Sequence, residues 1–515
     1  MHDYPLTLLD VLRRARREFG SQHIVTKVRD VMVDSTYEDF FRRVDRLAWA
    51  LKDLGVKAGD VVATLCWNTS QHLELYMAIT ASGAVLHPIN VRLSVDQIVG
   101  IVTHARDAVV FVDSAMVPAL ATPLRKATPG AIIVAIGGEN GTRSLEYDEL
   151  LGTQSDELFP YEELSEDEPA AMAYSSATTG IAKGVVYSHR ALYLHTMMLG
   201  LADTWGISHS DTVLPIVPMY HVNAWGLPFA ALWMGSALIL PGKSPTPTDL
   251  ATMLADATFA AAVPTVWMSV LEVLRDRGQK LPRMRMAVCG GASLGKRLLA
   301  DADDLGIPLV HSYGMTEASP LVLVGQVKDG LEPTAERRAK QGYGVPGLDY
   351  RVCDEEGHDV PRNGVSCGEL LLRGPWIVDE YLRDKARTQT AFVDGWYHTG
   401  DIVTVDSAGY MQVVDRKADL IKSGGEWISS LDLESALMAH PAVQMAAVVG
   451  VPDDRWQERP RAFVVCSEAV SEAELRAYLS PQFPRFWMPD EFIFVNSIPL
   501  TTVGKVDKNA LRTLT

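Results

Sequence analysis

Short apolar runs that alternate with amphipathic helical stretches constrain this chain more than any other feature. Asp60-Val61-Val62-Ala63-Thr64-Leu65-Cys66 reads as a buried strand. Before it, Phe40, Phe41, Val44, Leu47, Ala48 and Leu51 recur at helical spacing. Ser35 and Glu38 stand at capping-box spacing ahead of that helix, and Gly55 is a stop signal behind it. A second helix is predicted from 70 to about 81, then the apolar run Ala84-Val85-Leu86. Val109-Val110-Phe111-Val112 and Ile132-Ile133-Val134 are further strand candidates. Strands alternating with helices imply parallel sheets covered by helices on their faces. The texture persists to about His311, through Ala237-Leu238-Ile239-Leu240 and Met286-Ala287-Val288-Cys289.

From Tyr350 short strand patterns dominate: Tyr350-Arg351-Val352, Glu369-Leu370-Leu371-Leu372 and Met411-Gln412-Val413-Val414. They predict a β-rich subdomain at about 345–414, closing a large domain 1–414. The remaining piece, 415–515, mixes a helix at 431–439 with strands at 446–449, 462–465 and 492–495, as a small α+β lid would. The 515 residues suit two to five domain-sized units. A formal net charge of −17 argues against nucleic acid, which needs a basic face, and requires anionic ligands to meet a local cationic cluster. Five scattered cysteines without a CxxC pair make a disulfide framework or zinc site an unfavourable reading. No apolar stretch is long enough for a membrane span, and the start Met1-His2-Asp3-Tyr4-Pro5 lacks a signal-peptide pattern. The expectation is a soluble, acidic, cytoplasmic protein of enzyme size.

The most informative stretch is Tyr174-Ser175-Ser176-Ala177-Thr178-Thr179-Gly180-Ile181-Ala182-Lys183-Gly184. Hydroxyls, glycines and a closing lysine can offer backbone N–H groups, O–H donors and one cation to a polyphosphate. It is not a Walker A loop, because the GxxxxGK[ST] spacing is absent. Alone, it reads equally well as a plain Ser/Thr/Gly surface loop. It is accompanied by Ser312-Tyr313-Gly314-Met315-Thr316-Glu317, by Gly395-Trp396-Tyr397-His398-Thr399-Gly400-Asp401 with its Asp after a tight turn, and by Asp415-Arg416. Lys422-Ser423-Gly424-Gly425-Glu426 and Pro499-Leu500-Thr501-Thr502-Val503-Gly504-Lys505 follow.

In order and spacing these blocks resemble the adenylate-forming superfamily: acyl-CoA synthetases, luciferases and peptide-synthetase adenylation domains. The likeness covers nearly the whole chain. Pro218-Met219-Tyr220-His221-Val222-Asn223-Ala224-Trp225 and the stretch from Asp419 to Ser430 look most like fatty-acyl-CoA synthetases. The resemblance implies stacked mixed β-sheets with helices in the large domain, and a mobile lid hinged near Asp415. It implies ATP, Mg²⁺ and coenzyme A as cofactors and an acyl-AMP intermediate. Lys505 would bridge the carboxylate and the α-phosphate. Lys183, with Ser175, Ser176, Thr178, Thr179 and Gly180, would hold the β- and γ-phosphates. Glu317, next to Thr316, would ligate Mg²⁺ with Ser175 or a neighbouring hydroxyl opposite. Asp401 would take the ribose hydroxyls, supported by Arg416. Gly290, Gly291 and Ala292, with Ser312, Tyr313 and Gly314, would flank the adenine. His221, Val222 and Trp225 would form or gate the acyl pocket, with His221 shaping it or orienting the carboxyl group and Trp225 otherwise plain core. Lys422, Gly424, Gly425, Glu426 and Trp427 would come to the pantetheine channel when the lid rotates. No charged specificity residue stands near, which favours an apolar acid over an amino acid.

Two positions depart from the family loop: Ala177 replaces its first Gly, and Ala182 its usual Pro. If position 177 needs φ > 0, Ala costs about 1–2 kcal/mol there, and its Cβ obstructs a backbone–phosphate approach. The burden falls on adenylation, which alone grips the triphosphate. Four readings therefore stand: a complete acyl-CoA ligase; a ligase that only converts acyl-AMP supplied by a partner adenylating enzyme; one that loads a carrier protein; and an inactive acyl-AMP or nucleotide binder. The identity of the acid and a homodimeric state are left open. Ala177→Gly is expected to raise acid-dependent ATP–pyrophosphate exchange, within the roughly 10²–10³-fold range of one aligned oxyanion donor. Thioester formation from preformed acyl-AMP should not change, and an unaltered exchange rate would remove the role given to Ala177.

Overall fold

A helix buried on every side from its third residue lies in the main hydrophobic core. In the computed structural model, which describes residues 4–137, 145–175, 183–424, 426–500 and 506–514 (Glu426 by its backbone only), helix Ser70–Ala81 spans the expected residues. Every side chain from 72 to 81 is buried. Such a helix needs apolar neighbours all round and a partner for each polar group. His72 Nδ1–H donates to the Trp67 carbonyl at 3.0 Å, and Nε2 accepts from the Thr64 hydroxyl at 2.8 Å. Burial drives the His72 pKa down to about 3, so the ring is neutral and one nitrogen is free to accept. Glu74 accepts from Arg43 Nε at 2.7 Å and from Tyr147 Oη at 2.6 Å.

Two large sheets flank this layer. One runs Leu145–Glu146, Ile132–Ile136, Val109–Asp113, Val61–Leu65, Val85–Pro88, Pro169–Tyr174, Gly184–Ser188 and is parallel except for its last strand. The other runs Tyr343–Gly344, Leu321–Val324, Leu309–Gly314, Met286–Gly290, Phe259–Ala262, Thr212–Pro215, Ala237–Leu240, His23–Val28, Val31–Thr36. It is parallel from Leu309–Gly314 to His23–Val28 and antiparallel at both edges. A single hydrophobic core joins them, with Val62 and Phe111 from the first and Leu238 and Val288 from the second. Each fully buried side chain of this size contributes about 1.5–3 kcal/mol.

A third, antiparallel sheet is built from Asp349–Cys353, Cys367–Arg373, Phe392–Val393, Trp396–Val405 and Met411–Arg416. A fourth holds Ile421–Ser423, Glu426–Ile428, Val443–Asp453, Gln457–Cys466 and Glu491–Phe494 around helix Ser430–Met438. This is the expected mixed α/β fold, a large sheet domain followed by a smaller C-terminal one. Asp415, at the end of the third sheet, is buried and accepts from the Ser430 N–H at 2.8 Å. Lys508 Nζ donates to Ser430 and lies 2.9 Å from Glu434 Oε1. Burial favours a neutral Lys508, but the Glu434 and Asp415 charges outweigh it and raise its pKa.

One local expectation changes, and two further details were not legible in the sequence. The cap of helix Tyr37–Asp53 is Thr36, whose hydroxyl accepts from Asp39 N, and not Ser35. Ser35 still belongs to strand Val31–Thr36, where its hydroxyl donates to the Ile24 carbonyl at 3.2 Å. The hairpin His23–Val28/Val31–Thr36 carried no turn signal, because its turn puts Arg29, not Gly or Asn, at φ 55°. Asp401 follows the tight turn at Asp394 and Gly395, and it lies inside strand Trp396–Val405, just after Gly400 at φ 71° and beside an irregular register with Met411–Arg416. All five cysteines are free thiols, and among the described residues no helix is long and apolar enough to cross a membrane.

Candidate active site

The phosphate-loop candidates begin and end on paired strands. Ser175 N–H donates to the Lys183 carbonyl at 2.9 Å, and Ser175 Oγ accepts from Lys183 N at 3.4 Å. Tyr174 pairs with Gly184 in the antiparallel strands behind them. Ser176, Ala177, Thr178, Thr179 and Gly180 lie outside the described residues. The Lys183 ammonium rests 4.8 Å above the centre of the Tyr381 ring. Glu317 arrives from the other large sheet, in the turn after Leu309–Gly314, and is buried. Its Oε1 accepts from the Tyr381 hydroxyl at 2.7 Å. The carbonyl of Thr316 accepts from Tyr187 Oη at 2.7 Å, tying this turn to strand Gly184–Ser188.

Gly290, Gly291, Ala292, Ser312, Tyr313 and Gly314 do come together. Gly290 pairs with Ser312 across adjacent parallel strands. A Cβ on Gly290 would stand 2.8 Å from the Ser312 carbonyl oxygen and 3.1 Å from the Trp225 ring, so only glycine fits. Gly291 has φ 82°, and a Cβ on Gly314 would meet the Pro320 carbonyl at 2.2 Å. His311 Nε2 lies 3.3 Å from the Ala292 carbonyl, and Trp205 Nε1 donates to Ser312 Oγ at 3.2 Å. Tyr313 reaches across: its hydroxyl donates to Asp401 Oδ2. Asp401 Oδ1 lies 3.2 Å from Arg416 Nε. Next to them Thr399, Gly400, Arg416, Lys417 and Ala418 line an open cavity of about 370 Å³.

The acyl-pocket candidates sit on a feature that the sequence did not announce. Val222, Asn223, Ala224 and Trp225 have φ of 44°, 52°, 48° and 59°, followed by Gly226 at 81°. A left-handed conformation costs a non-glycine residue about 1–2 kcal/mol, so the surroundings must impose it. They do. Asn68 Nδ2 donates to the carbonyls of Pro215 at 2.8 Å and Val217 at 2.9 Å, and its Oδ1 accepts from Met219 N at 2.8 Å. Tyr76 Oη donates to the Met219 carbonyl. Beyond the turn, a Cβ on Gly226 would stand 2.9 Å from the His195 ring. Burial holds the His195 pKa down at about 3, so Nε2 accepts from Leu321 N at 3.2 Å. His221 is partly buried at the head of this turn, and Val222 and Trp225 are buried in the main core. Trp225 is thus both core and wall of the glycine cradle. Asn68, Tyr76, His195 and Tyr381 were missed in the sequence, for each lies far along the chain from what it holds.

In the C-terminal sheet Ser423 pairs with Glu426, and Gly424 turns between them at φ 63°. Its N–H donates to the Trp456 carbonyl at 2.9 Å, and Lys422 Nζ lies 4.4 Å above the Trp427 ring. These hydrogen bonds stay within the C-terminal sheet. Among the described residues none joins this turn to Glu317, Lys183 or Asp401. Gly425, Lys505 and the Glu426 side chain lie outside the described residues; Lys505 precedes Val506, which bridges back to Leu500.

The donor set fits a nucleotide that carries Mg²⁺. Among the described residues no group of three or more His, Cys, Asp or Glu could hold a metal by itself. Mg²⁺ commonly binds through one or two carboxylates together with substrate phosphates, and the buried Glu317 is a carboxylate of the kind such binding uses. A glycine cradle, a carboxylate–arginine pair beside a cavity, a lysine and a buried carboxylate are groups that a nucleotide-activating site of the adenylate-forming class would use.

Comparison with known proteins agrees. Residues 13–382 match the family model for AMP-binding enzymes, and 432–505 the model for the AMP-binding enzyme C-terminal domain. A long-chain-fatty-acid–CoA ligase of Thermus thermophilus is 41% identical over 99% of this chain and 96% of its own. A medium-chain-fatty-acid–CoA ligase of Ectopseudomonas oleovorans is 34% identical over 98% and 95%. The crystal structure of the anthranilate CoA ligase AuaEII with anthranoyl-AMP superposes with a TM-score of 0.90 at 25% identity, covering 99% of this chain and 98% of that one. ATP-bound MatB from Rhodopseudomonas palustris does so at 0.88 and 27%, covering 99% of both. The chain belongs to the AMP-binding enzyme family. It is an acid–thiol ligase, an acyl-CoA ligase that works through an acyl-adenylate with ATP and coenzyme A.

Gly290→Ala is expected to destabilise the protein by about 1–3 kcal/mol, the usual cost of overpacking, measured as a shift in urea midpoint. Combining it with Trp225→Ala should cost less than the sum of the two single changes, because the 3.1 Å contact with the ring is removed.

Proposed function

We propose that the substrate is an apolar carboxylic acid, activated and then passed to coenzyme A by two alternating arrangements of a domain 1–414 and a lid 415–515 hinged near Asp415. The observation that carries this reading is the contact of Trp225 with the Gly290 cradle. An acyl-adenylate needs its acyl and adenylate ends side by side, and here one indole is wall to both. The long-chain and medium-chain ligases among the relatives support an apolar acid.

In the first step a carboxylate oxygen attacks the α-phosphorus of ATP. The new P–O bond forms as the bond to the bridging oxygen breaks and pyrophosphate leaves. Lys505 would bridge the two anions, Lys183 would hold the leaving phosphates, and the Asp401–Arg416 pair would fix the ribose. Tyr313 and Arg416 engage both Asp401 oxygens but leave lone pairs for the vicinal hydroxyls. Glu317, with Ser175 or a neighbouring hydroxyl, would hold Mg²⁺, which would supply charge neutralisation at the phosphates. In the second step the CoA sulfur attacks the acyl carbonyl, losing its proton, and AMP departs with the electron pair of the broken C–O bond. The turn around Gly424, with Lys422, Gly425, Glu426 and Trp427, would receive the pantetheine arm.

Both steps run in this reading, with adenylation slowed by Ala177 and not abolished. Free CoA is the acceptor, in preference to a carrier protein; the acyl-AMP is formed on the enzyme itself, in preference to being supplied by a partner ligase; and the enzyme is assigned to the cytoplasm. A homodimer is consistent with the resemblance.

Lys505→Ala and Gly424→Ala test the division of labour. Lys505→Ala should lower acid-dependent pyrophosphate exchange by about 10²–10³-fold and spare conversion of acyl-AMP to acyl-CoA. Gly424→Ala, whose Cβ would come within 2.7 Å of Trp456, should do the reverse. Equal loss of both half-reactions in both variants would contradict domain alternation.

A further inference from the structure

Lys183 and Glu317 come from different sheets and carry opposite charges, yet among the described residues no ion pair joins them. Tyr381 stands between. Its ring faces the Lys183 ammonium, 4.8 Å from the ring centre, and its hydroxyl donates to Glu317 Oε1 at 2.7 Å. The tyrosine is buried, and its own backbone is fixed to both neighbours. Tyr381 forms an isolated bridge with Val185, and Leu382 N–H donates to the Gly184 carbonyl at 2.8 Å, both directly after Lys183. Three residues earlier, Val378 N–H donates to the Glu317 carbonyl at 3.0 Å. Tyr381 N–H donates to Thr388 Oγ1 at 3.0 Å. One short segment therefore spans the two large sheets at the level of the two charges.

We propose that Tyr381 is a positioning residue for adenylation, keeping Lys183 and Glu317 apart so that each remains available to the nucleotide. The inference rests on the roles given to Lys183 and Glu317 above. A direct lysine–carboxylate pair would have to break before phosphate and Mg²⁺ could bind. A phenol avoids this. Its π face holds an ammonium weakly enough to be outcompeted by a phosphate. Its O–H occupies one lone pair of Glu317 and leaves the other oxygen for the metal. Tyr397 Oη, 3.5 Å from Tyr381 Oη, closes the cluster from the β-rich sheet.

The test uses the full-length enzyme with Tyr381→Phe, Tyr381→Leu and Glu317→Gln, each checked for folding by its thermal transition. Tyr381→Phe keeps the ring and the volume, so it remains informative even if Tyr381→Leu fails to fold. Acid-dependent ATP–pyrophosphate exchange is titrated with Mg²⁺ and with ATP, and acyl-CoA formation from preformed acyl-AMP is measured alongside. Tyr381→Phe should raise the Mg²⁺ concentration for half-maximal exchange about 10–100-fold, the usual effect of losing a group that orients a metal ligand. Tyr381→Leu should in addition raise KM for ATP. Acyl-CoA formation from acyl-AMP should stay within about twofold in both, since that step uses neither the β- and γ-phosphates nor their metal. A folded Tyr381→Phe with unchanged Mg²⁺ dependence, beside an impaired Glu317→Gln, would overturn this proposal alone. Equal loss of both half-reactions in Tyr381→Phe would reduce Tyr381 to a structural residue and also overturn it. Unchanged exchange in Glu317→Gln would overturn the metal role of Glu317 and this inference with it.

Discussion

The packing of helix Ser70–Ala81 between two sheets is the constraint on which the site depends. That helix lies in the hydrophobic core shared by a sheet that ends in Gly184–Ser188 and a sheet whose Leu309–Gly314 strand leads to Glu317. Neither sheet contains a complete site. The lysine comes from the edge of one, the buried carboxylate from the other, and the Asp401–Arg416 pair from a third. A change in the thickness of the buried layer moves the lysine relative to the carboxylate, whatever happens to the side chains themselves. This explains why a layer so apolar also carries His72, Glu74 and Tyr76, each fully hydrogen-bonded. They fix where the helix sits, as well as that it is buried.

From the same layer the control extends to the acyl pocket. Tyr76 holds the Met219 carbonyl and Asn68, just before the helix, holds Met219 N. Between them they deliver the chain into a left-handed turn that its sequence, Val-Asn-Ala-Trp, would not choose. The strain is sustained by contacts on both sides of the turn, and its product is the Trp225 indole set against Gly290. Glycine is required there by space, whereas at Gly291 and Gly226 it is favoured by positive φ as well.

Much of this was legible. The strand–helix alternation predicted helix Ser70–Ala81 and most strands of the first sheet, because each signal was local and periodic. The ordered motifs gave the family and, by likeness, the residues to look for. Strand order was not legible: His23–Val28 pairs with Ala237–Leu240, more than two hundred positions away, and no local pattern encodes such a partner. The hairpin turn at Arg29 and the turn at Val222 were hidden because residues with no preference for positive φ adopt it under tertiary constraint. Tyr381 was hidden differently. Its value lies in what it touches, Lys183 and Glu317, and these are 198 and 64 positions distant, differences read directly from the numbering.

The two half-reactions of the ligase can be assayed apart. The most direct measurement supplies the wild-type enzyme, in one arm, with ATP, Mg²⁺, CoA and a panel of apolar acids, and in the other with the corresponding acyl-AMP and CoA. Mass spectrometry then follows acyl-CoA and AMP. The account predicts both products in both arms for at least one acid, with the first arm the slower. Turnover in neither arm, with nucleotide still bound, would contradict it.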